Sequence, residues 1–115
     1  MIDCVFCKIA TGEIKSNKIY ENDNFFSIFD RSPVAPGHSL VISKKHFKTS
    51  LDLHDSLGDE FLDCLKNTAL KVIDANNAEG FNVISNNFAA AGQVVNHFHF
   101  HIIPRKKGDG LNMIA

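Results

Sequence analysis

Runs of apolar residues, separated by turn-forming residues, predict several short β-strands along the chain. Asn, Asp, Gly and Pro bound these runs, and each of them favours a turn. Turn signals at 22–24 and at Pro36-Gly37 indicate hairpin connections. The predicted strands are 18–21, 25–29, 38–43, 81–85 and a longer strand, 94–103, which Pro104 ends.

A change to helical periodicity predicts one long helix at residues 55–77. Apolar residues such as Phe61 and Leu65 recur there at three- and four-residue steps. Ser56, or the Asp before it, can cap the start. The pattern Ser56-x-x-Asp59 resembles a capping box with Asp in the place of Glu.

The order of these elements predicts an α+β fold. Strands lie on both sides of the long helix, and short connections favour antiparallel pairing. Residues 4–9 could form a short N-terminal helix that Gly12 ends. The length of 115 residues is that of a single domain, so we expect one domain over 1–115.

Composition excludes several classes of protein. Hydrophobic residues make up 44% and charged residues 22%, which is typical of an ordinary globular domain and excludes wholesale disorder. With a net charge of -1, the chain lacks the excess of basic residues that is typical of a nucleic-acid-binding protein, so no nucleic-acid partner is expected. No apolar run approaches the ~20 residues of a membrane span, so no membrane partner is expected. The N-terminal residues do not resemble a secretion signal, so we expect a cytoplasmic protein.

Three histidines in strict alternation form the most informative segment. Side chains alternate between the two faces of a strand, so His97, His99 and His101 are expected on one face. Apolar residues at 98, 100 and 102 line the opposite, core-facing side. A polar outer face of an edge strand is the simplest alternative. Imidazoles can instead act as nucleophile, acid, base or metal ligand near neutral pH, and their protonated forms suit an anionic substrate.

The loop before the histidines is rich in small residues. Its sequence, 86–93, ends in Ala-Gly-Gln. Small residues and glycine allow backbone N–H groups to approach a ligand, which can form an anion-binding nest. Such loops are common, so this signal is weak without the adjacent histidines.

The cysteines are few and unevenly spaced. Two of the three form Cys4-x-x-Cys7, and the absence of an export signal favours metal or redox chemistry over a structural disulfide. The third, Cys64, falls in the predicted long helix and is expected to be a small buried apolar residue. His54, just before that helix, is expected at the surface.

The histidine motif, with its Ala-Gly-Gln prefix, resembles the histidine triad (HIT) family of nucleotide hydrolases and transferases. The resemblance covers nearly the whole chain. Further matching segments, in family order, are Cys4-Val-Phe-Cys-Lys-Ile, Phe29-Asp30-Arg31-Ser32-Pro33, Pro36-Gly37-His38, Lys44-Lys45-His46 and Pro104-Arg105. The resemblance implies a HIT-like five-stranded antiparallel sheet, a homodimer and a purine nucleotide substrate.

The resemblance also implies roles for individual residues. The triad His97, His99 and His101 would be catalytic: the middle histidine, His99, would attack the α-phosphate and form a nucleotidyl-histidine, while His101 would donate to a phosphate oxygen. His38 would support the triad, and Asp30 would accept hydrogen bonds from ribose hydroxyls. The remaining implied nucleotide contacts are the phosphate-side residues Asn86, Gly92 and Gln93 and the base-pocket residues Val5, Phe6, Ile9 and Ile28.

A structural zinc site is implied in the same way. Members of the bacterial type with this Cys-x-x-Cys motif bind zinc through both cysteines, a histidine of the Lys-Lys-His segment and the first triad histidine. The corresponding residues are Cys4, Cys7, His46 and His97. Four protein ligands leave no position for water, so the zinc would be structural and the chemistry would need no metal. The alternatives are a free, reduced Cys-x-x-Cys with a surface histidine, or a redox dithiol.

One position departs from the family pattern. Val94 follows the Ala-Gly-Gln segment, where many members carry Ser or Thr, and valine has no proton to give to a leaving group. The main hypothesis is a nucleoside phosphoramidate hydrolase. The alternatives are a dinucleoside polyphosphate hydrolase, with 105–107 reaching a longer phosphate chain, a nucleotide-binding module with little turnover, and a structural protein that binds several metal ions.

Overall fold

The computed structural model describes residues 3–112, and these form an α+β fold around one antiparallel sheet. Single 3₁₀ turns lie at Ser50–Asp52, Asp55–Leu57 and Ala89–Ala91. The predicted fold class, including the long helix and the short N-terminal helix, is confirmed. In chain order the elements are α1 (Val5–Ala10), β1 (Tyr20–Glu21), β2 (Phe25–Phe29), β3 (Ser39–Ser43), α2 (Gly58–Asn76), β4 (Gly80–Ile84) and β5 (His99–Arg105).

The sheet brings the histidine strand into its interior. Its order is β1-β2-β3-β5-β4, so β5 lies between β3 and β4. In the β3–β5 pair, Ile42 lies opposite His99 and Leu40 lies opposite His101. The edge-strand alternative for the histidine run is therefore wrong. Both edges of β5 are paired, and Phe6 of α1 packs against His99, so the histidine face lies on the side of the sheet that α1 partly covers.

The predicted strand 94–103 differs from the structure at both ends. The His97 N–H donates to the Val95 carbonyl over 2.9 Å, which bends the chain, and β5 begins only at His99. At the other end β5 continues through Pro104 to Arg105. Proline is tolerated because pairing with β3 ends at Ile102, so Pro104 pairs only with β4.

The long helix also starts differently from the prediction. The 3₁₀ turn Asp55–Leu57 leads directly into α2, so Leu57 is the N-cap and no side chain caps the helix. A capping box lies elsewhere, between Thr49 and Asp52. The predicted end is confirmed, because Asn77 adopts a left-handed conformation with φ of 51°. No helix within residues 3–112 is both long enough and apolar enough to cross a membrane.

The two helices cover opposite faces of the sheet. Cys64, fully buried as predicted, lies with Val72 of α2 against Phe25, Val41 and Ile102. The other face packs against α1 in a separate cluster. His99 and His101 are exposed to this second face, because they alternate with the α2-facing residues of β5. The members of the α1 cluster are Cys4, Phe6, Ile9, Phe26, Ile28, Leu40 and Ile42.

Candidate active site

A cavity of about 1060 Å³ opens on the α1 face of the sheet. Its walls come from α1, β2, β3, β5 and the loops at 86–95 and 11–18. This volume is in the upper range of small-molecule sites, which run to roughly 1,000 Å³. The residues that were predicted as site residues and that line this cavity are Val5, Phe6, Ile9, Ile28, Asp30, His38, Asn86, Gly92, His99 and His101.

Other lining residues were not predicted as site residues. Lys15 and Ser16 come from an irregular segment without periodicity, and no sequence signal marks them. Strand alternation could have identified Leu40, since it lies two positions from His38, whereas Arg31 lies in the turn directly after Asp30. The remaining such residues are Ile14, Phe29, Ser32, Val94 and Val95.

The ring of His99 is oriented by a backbone group. Its Nδ1 lies 2.7 Å from the carbonyl oxygen of His97. Because a carbonyl can only accept, Nδ1 carries the proton and donates it. The neutral ring therefore keeps a free lone pair on Nε2. Phe6 packs edge-to-face against the same ring, with centroids 5.2 Å apart.

A chain of hydrogen bonds determines the tautomer of His101. The Val34 N–H donates to Nδ1 of His38 over 3.2 Å, so neutral His38 carries its proton on Nε2. That Nε2 lies 2.9 Å from Nδ1 of His101 and donates to it. The proton of neutral His101 is consequently on Nε2, where it can be donated to a ligand.

Both of these histidines are held in their neutral forms. Burial, reinforced by the neighbouring His99 and His38, lowers the pKa of His101 to about 4, although Asp30 opposes the change. Burial also lowers the pKa of His38, again against Asp30. The prediction that protonated imidazoles supply positive charge is therefore wrong for His101. It contributes an N–H donor at neutral pH.

The carboxylate of Asp30 is shared between a turn and the histidines. Its Oδ1 accepts from the Ser32 N–H over 2.8 Å. Its Oδ2 lies 3.4 Å from Nε2 of His38 and 3.8 Å from Nδ1 of His101. Asp30 could join these two histidines in holding a metal ion. The Val34 N–H on Nδ1 of His38 favours a proton on Nε2, which leaves His38 without a free lone pair for a metal ion.

The loop before the triad differs from the predicted anion nest. The Gly92 N–H donates to Ala89 O over 3.0 Å and the Gln93 N–H donates to Phe88 O over 3.2 Å, so both amides serve the loop itself. Gly92 has φ of 94°, a left-handed conformation that favours glycine. The side chain of Gln93 is buried and hydrogen bonds only to backbone groups of residues 88, 48 and 95. Gly92 lines the cavity, whereas Gln93 and the predicted catalytic residue His97 are not among the lining residues that the structure describes.

Cys4, Cys7, His46 and His97 converge beside α1 and could hold a metal ion. Nδ1 of His97 lies 3.3 Å from the Cys4 sulfur, 3.5 Å from the Cys7 sulfur and 3.2 Å from Nδ1 of His46. The Cys7 sulfur lies 3.3 Å from Nδ1 of His46. A tetrahedral zinc with bonds of about 2.0–2.3 Å places its ligands roughly 3.3–3.8 Å apart, so the spacing fits.

The tautomer of His97 also suits a metal ligand. Its Nε2 lies 2.7 Å from the Ser43 carbonyl and donates to it, which leaves the Nδ1 lone pair facing the cysteines. Burial lowers the pKa of His97 to about 4, which favours this neutral form. Burial and the adjacent Cys4 thiol raise the pKa of Cys7 to about 11.

The basic segment 105–107, at the end of β5, lies outside the cavity-lining set that the structure describes. Arg105 donates through Nε and one terminal nitrogen to both carboxylate oxygens of Asp109, over 2.7 and 2.9 Å. It also donates to the Asn82 side chain over 2.7 Å and to the Leu111 carbonyl over 2.8 Å. Its guanidinium therefore orders the C-terminal segment.

Comparison with known proteins agrees with this geometry. An adenylylsulfatase of Arabidopsis thaliana is 42% identical over 109 residues, which are 95% of this chain and 55% of that protein. An adenosine 5′-monophosphoramidase of Candida albicans is 41% identical over 107 residues, which are 90% of this chain and 70% of that protein. A solved structure from Streptococcus mutans has a TM-score of 0.92 at 36% identity, covering 100% of this chain and 73% of that chain. The HIT domain profile matches residues 11–108, and the chain therefore belongs to the HIT domain family.

Proposed function

We propose that the chain hydrolyses purine nucleoside phosphoramidates, or transfers their nucleotidyl group, through a covalent intermediate on His99. The observation that carries this proposal is the 2.7 Å hydrogen bond from Nδ1 of His99 to the His97 carbonyl, which keeps the Nε2 lone pair free in a cavity wall. The names of the two enzymes above, an adenosine monophosphoramidase and an adenylylsulfatase, support an adenosine nucleotide with a substituted phosphate.

In the first step, Nε2 of His99 attacks the α-phosphorus. An N–P bond forms, and the bond from phosphorus to the leaving amine nitrogen breaks. The leaving nitrogen takes the electron pair and accepts one proton from water, leaving hydroxide. His99 is then bonded through Nε2 and protonated on Nδ1, and the His97 carbonyl stabilises the positive charge.

In the second step, water attacks the phosphorus of the nucleotidyl-histidine. The bond to Nε2 breaks, the electron pair returns to His99, and the water releases one proton that neutralises the hydroxide of the first step. The net reaction consumes one water and yields a nucleoside monophosphate and an amine. When an alcohol or another acceptor replaces this water, the same intermediate gives nucleotidyl transfer.

The neighbouring histidines would stabilise the transferring phosphate. His101 would donate its Nε2 proton to a phosphate oxygen, and His38 would hold it in that tautomer through the 2.9 Å hydrogen bond. Asp30 would accept from ribose hydroxyls while its electrostatic influence keeps the His38 and His101 pair oriented. No catalytic metal is required for these steps.

The apolar wall beside α1 would bind the base. Val5, Phe6, Ile9 and Ile28 line the cavity on the α1 side, and they offer flat apolar contacts to a purine. On the opposite wall, Asn86 and Gly92 would contact the phosphate or ribose. In our proposal Gln93 supports this wall from behind.

We also propose that Cys4, Cys7, His46 and His97 bind one structural zinc, as in the bacterial type of the family. The donor set of two sulfurs and two imidazole nitrogens is typical of structural zinc sites. A metal there would supply a rigid link between the N-terminal segment and the triad. All four ligands belong to the chain, so the ion would play no direct part in phosphate chemistry.

Two further features of the proposal concern assembly and location. β4 is an edge strand, and exposed apolar residues lie on it and on α2, which supports a homodimer with paired sheets. Three unpaired thiols support a reducing compartment such as the cytoplasm. The exposed apolar residues are Leu62, Leu70, Phe81 and Val83.

A nucleotide-binding module with little turnover is the second candidate, and Val94 favours it. Val94 lines the cavity, is 91% exposed and carries no proton for a leaving group. The dinucleoside polyphosphate hypothesis loses the part of its support that came from Arg105, because Arg105 is bound to Asp109. Hydrolysis of adenosine 5′-phosphoramidate, diadenosine tetraphosphate and adenylyl sulfate should be compared for the native chain and His99→Ala. The proposal predicts that the phosphoramidate is the best substrate, and AMP binding without turnover of any of the three would establish the second candidate.

A further inference from the structure

Gln93 is buried behind the cavity wall and uses its whole side-chain amide within the protein. Its Oε1 accepts from the Phe88 N–H over 2.7 Å. Its Nε2 donates to the Lys48 carbonyl over 2.6 Å and to the Val95 carbonyl over 3.0 Å. Only 8% of the residue is exposed. An amide nitrogen has two protons, so no donor of this side chain is left for a phosphate.

Gln93 holds Phe88 from both sides. Besides the side-chain bond to the Phe88 N–H, the Gln93 backbone N–H donates to the Phe88 carbonyl over 3.2 Å. Phe88 has φ of 70° and ψ of 156°, a conformation that is essentially restricted to glycine. This strained backbone persists because its polar groups are paired in that conformation, and Gln93 supplies a partner to each of them.

The adjacent Asn87 ties the same loop to the same neighbouring segment. Its Oδ1 accepts from the Ser50 N–H over 2.8 Å and from the Ser50 hydroxyl over 2.9 Å. Together, Asn87 and Gln93 attach the loop to 48–50 at two points. The cavity-lining residues Gly92 and Val94 directly flank Gln93, so this attachment determines where that wall lies relative to the triad.

We propose that Gln93 is a positioning residue, which clamps the strained loop at Phe88 and thereby aligns the Gly92–Val94 wall with His99. This inference rests on the proposed function for its kinetic consequence, whereas the clamp itself is a separate structural claim. It replaces the direct phosphate contact expected for Gln93 from the resemblance. A clamp affects turnover by geometry, because small misplacements of groups around a reacting centre lower the rate.

Gln93 is the only glutamine in the sequence, so selective ¹⁵N-glutamine labelling reports on this side chain alone. We expect its two amide protons to be protected from solvent exchange in the free protein and to remain so at saturating AMP. Their shifts should change less than those of the Gly92 and Val94 backbone amides. Rapid exchange in the free protein, or a dominant shift of the side-chain amide with AMP, would overturn the clamp.

Substitutions separate positioning from ligand contact. Gln93→Met removes all three side-chain hydrogen bonds. Gln93→Glu keeps an acceptor for the Phe88 N–H, but its carboxylate has no proton to donate to the two backbone carbonyls that Gln93 contacts. On adenosine 5′-phosphoramidate, we expect both variants to lower kcat by at least about tenfold while KM changes by less than about threefold. A rise in KM with kcat unchanged would indicate direct substrate contact and contradict the proposal.

Relief of the strain provides a rescue test. Glycine adopts the Phe88 conformation without steric cost, so Phe88→Gly in the Gln93→Met background should restore part of the lost kcat. A direct phosphate contact could not be replaced in this way, so an unrescued double variant would count against the clamp. If the native chain turns over no substrate, the proposed function fails, and the exchange experiment still decides whether Gln93 forms the clamp.

Discussion

Nδ1 of His99 donates its proton to the backbone carbonyl of His97, two residues earlier in the chain, over 2.7 Å. The side chain of His97 meanwhile turns toward Cys4 and Cys7. One residue therefore joins the cysteine cluster through its ring and orients the proposed nucleophile through its backbone. This relationship links the candidate metal site to the candidate chemistry.

The first prediction concerns the tautomer of His101. His38→Ala removes the Nε2–H donor to Nδ1 of His101, so we expect kcat/KM on adenosine 5′-phosphoramidate to fall by about 10–100-fold. His38→Gln, whose amide can donate to the same nitrogen, should recover part of the loss. Steady-state kinetics check this, and a His38→Ala variant within twofold of the native chain would contradict the proposed support by His38.

The second prediction is that His101 contributes to a pH-dependent stability. Its pKa is about 4 in the folded chain against 6.5 for a free histidine. Between these values the unfolded chain binds more protons, so the free energy of unfolding falls as the pH drops from about 6.5 toward about 4. Well above pH 6.5 the residue is neutral in both states and contributes no pH dependence.

Urea unfolding at pH 7 and pH 4.5 measures this effect. We expect His101→Asn to lose less stability over this range than the native chain, by on the order of 2 kcal/mol. His54→Asn is the matched control, because His54 is exposed outside the cavity and should leave the native slope unchanged. An equal slope in His101→Asn and the native chain would show that the buried imidazole is not the source.

The third prediction concerns zinc. Chain purified without chelator should contain about one zinc per molecule, and Cys4→Ser or His46→Ala should lower this content below half an equivalent. Chelation should lower the Tm of the native chain. Cys64→Ser is the matched control, since Cys64 belongs to α2 and is buried on the opposite face of the sheet from the Cys4–Cys7 cluster. Less than half an equivalent in the native chain would contradict the site.

The fourth prediction concerns the departure at Val94. Its side chain is exposed in the cavity wall, so Val94→Ser can be introduced without disturbing the core. A hydroxyl there could protonate the leaving amine, and we expect kcat on adenosine 5′-phosphoramidate to rise by about tenfold. Val94→Ala controls for the change in size. Equal rates for the serine, alanine and native forms would show that this position does not limit turnover.

Strand alternation predicted much of the site. It correctly separated His99 and His101 from the apolar residues of β5, because a regular strand imposes a two-residue period. It could not predict that His97 lies in a bend before β5. That bend depends on a hydrogen bond to Val95 and on the packing of His97 against cysteines more than 90 residues away in sequence.

Residues that act through tertiary contacts were the hardest to predict. Gln93 follows a glycine in a family motif, and nothing in its neighbours shows that its amide reaches Lys48. The prediction of where α2 starts was wrong for a local reason. Ser56 lies inside a 3₁₀ turn and therefore cannot cap the helix. The lining segment that contains Lys15 has no periodic pattern at all.

The most direct test of the proposed mechanism is mass spectrometry of the intact chain. The chain is mixed with adenosine 5′-phosphoramidate, and the reaction is then quenched rapidly without acid. The mechanism predicts a mass increase of one adenylyl group, which peptide mapping assigns to His99, and no adduct in His99→Ala. Multiple substrates and time points should be sampled, because the intermediate is hydrolysed in the second step. Turnover of substrate by the native chain with no adduct on His99 at any time point would contradict the covalent mechanism.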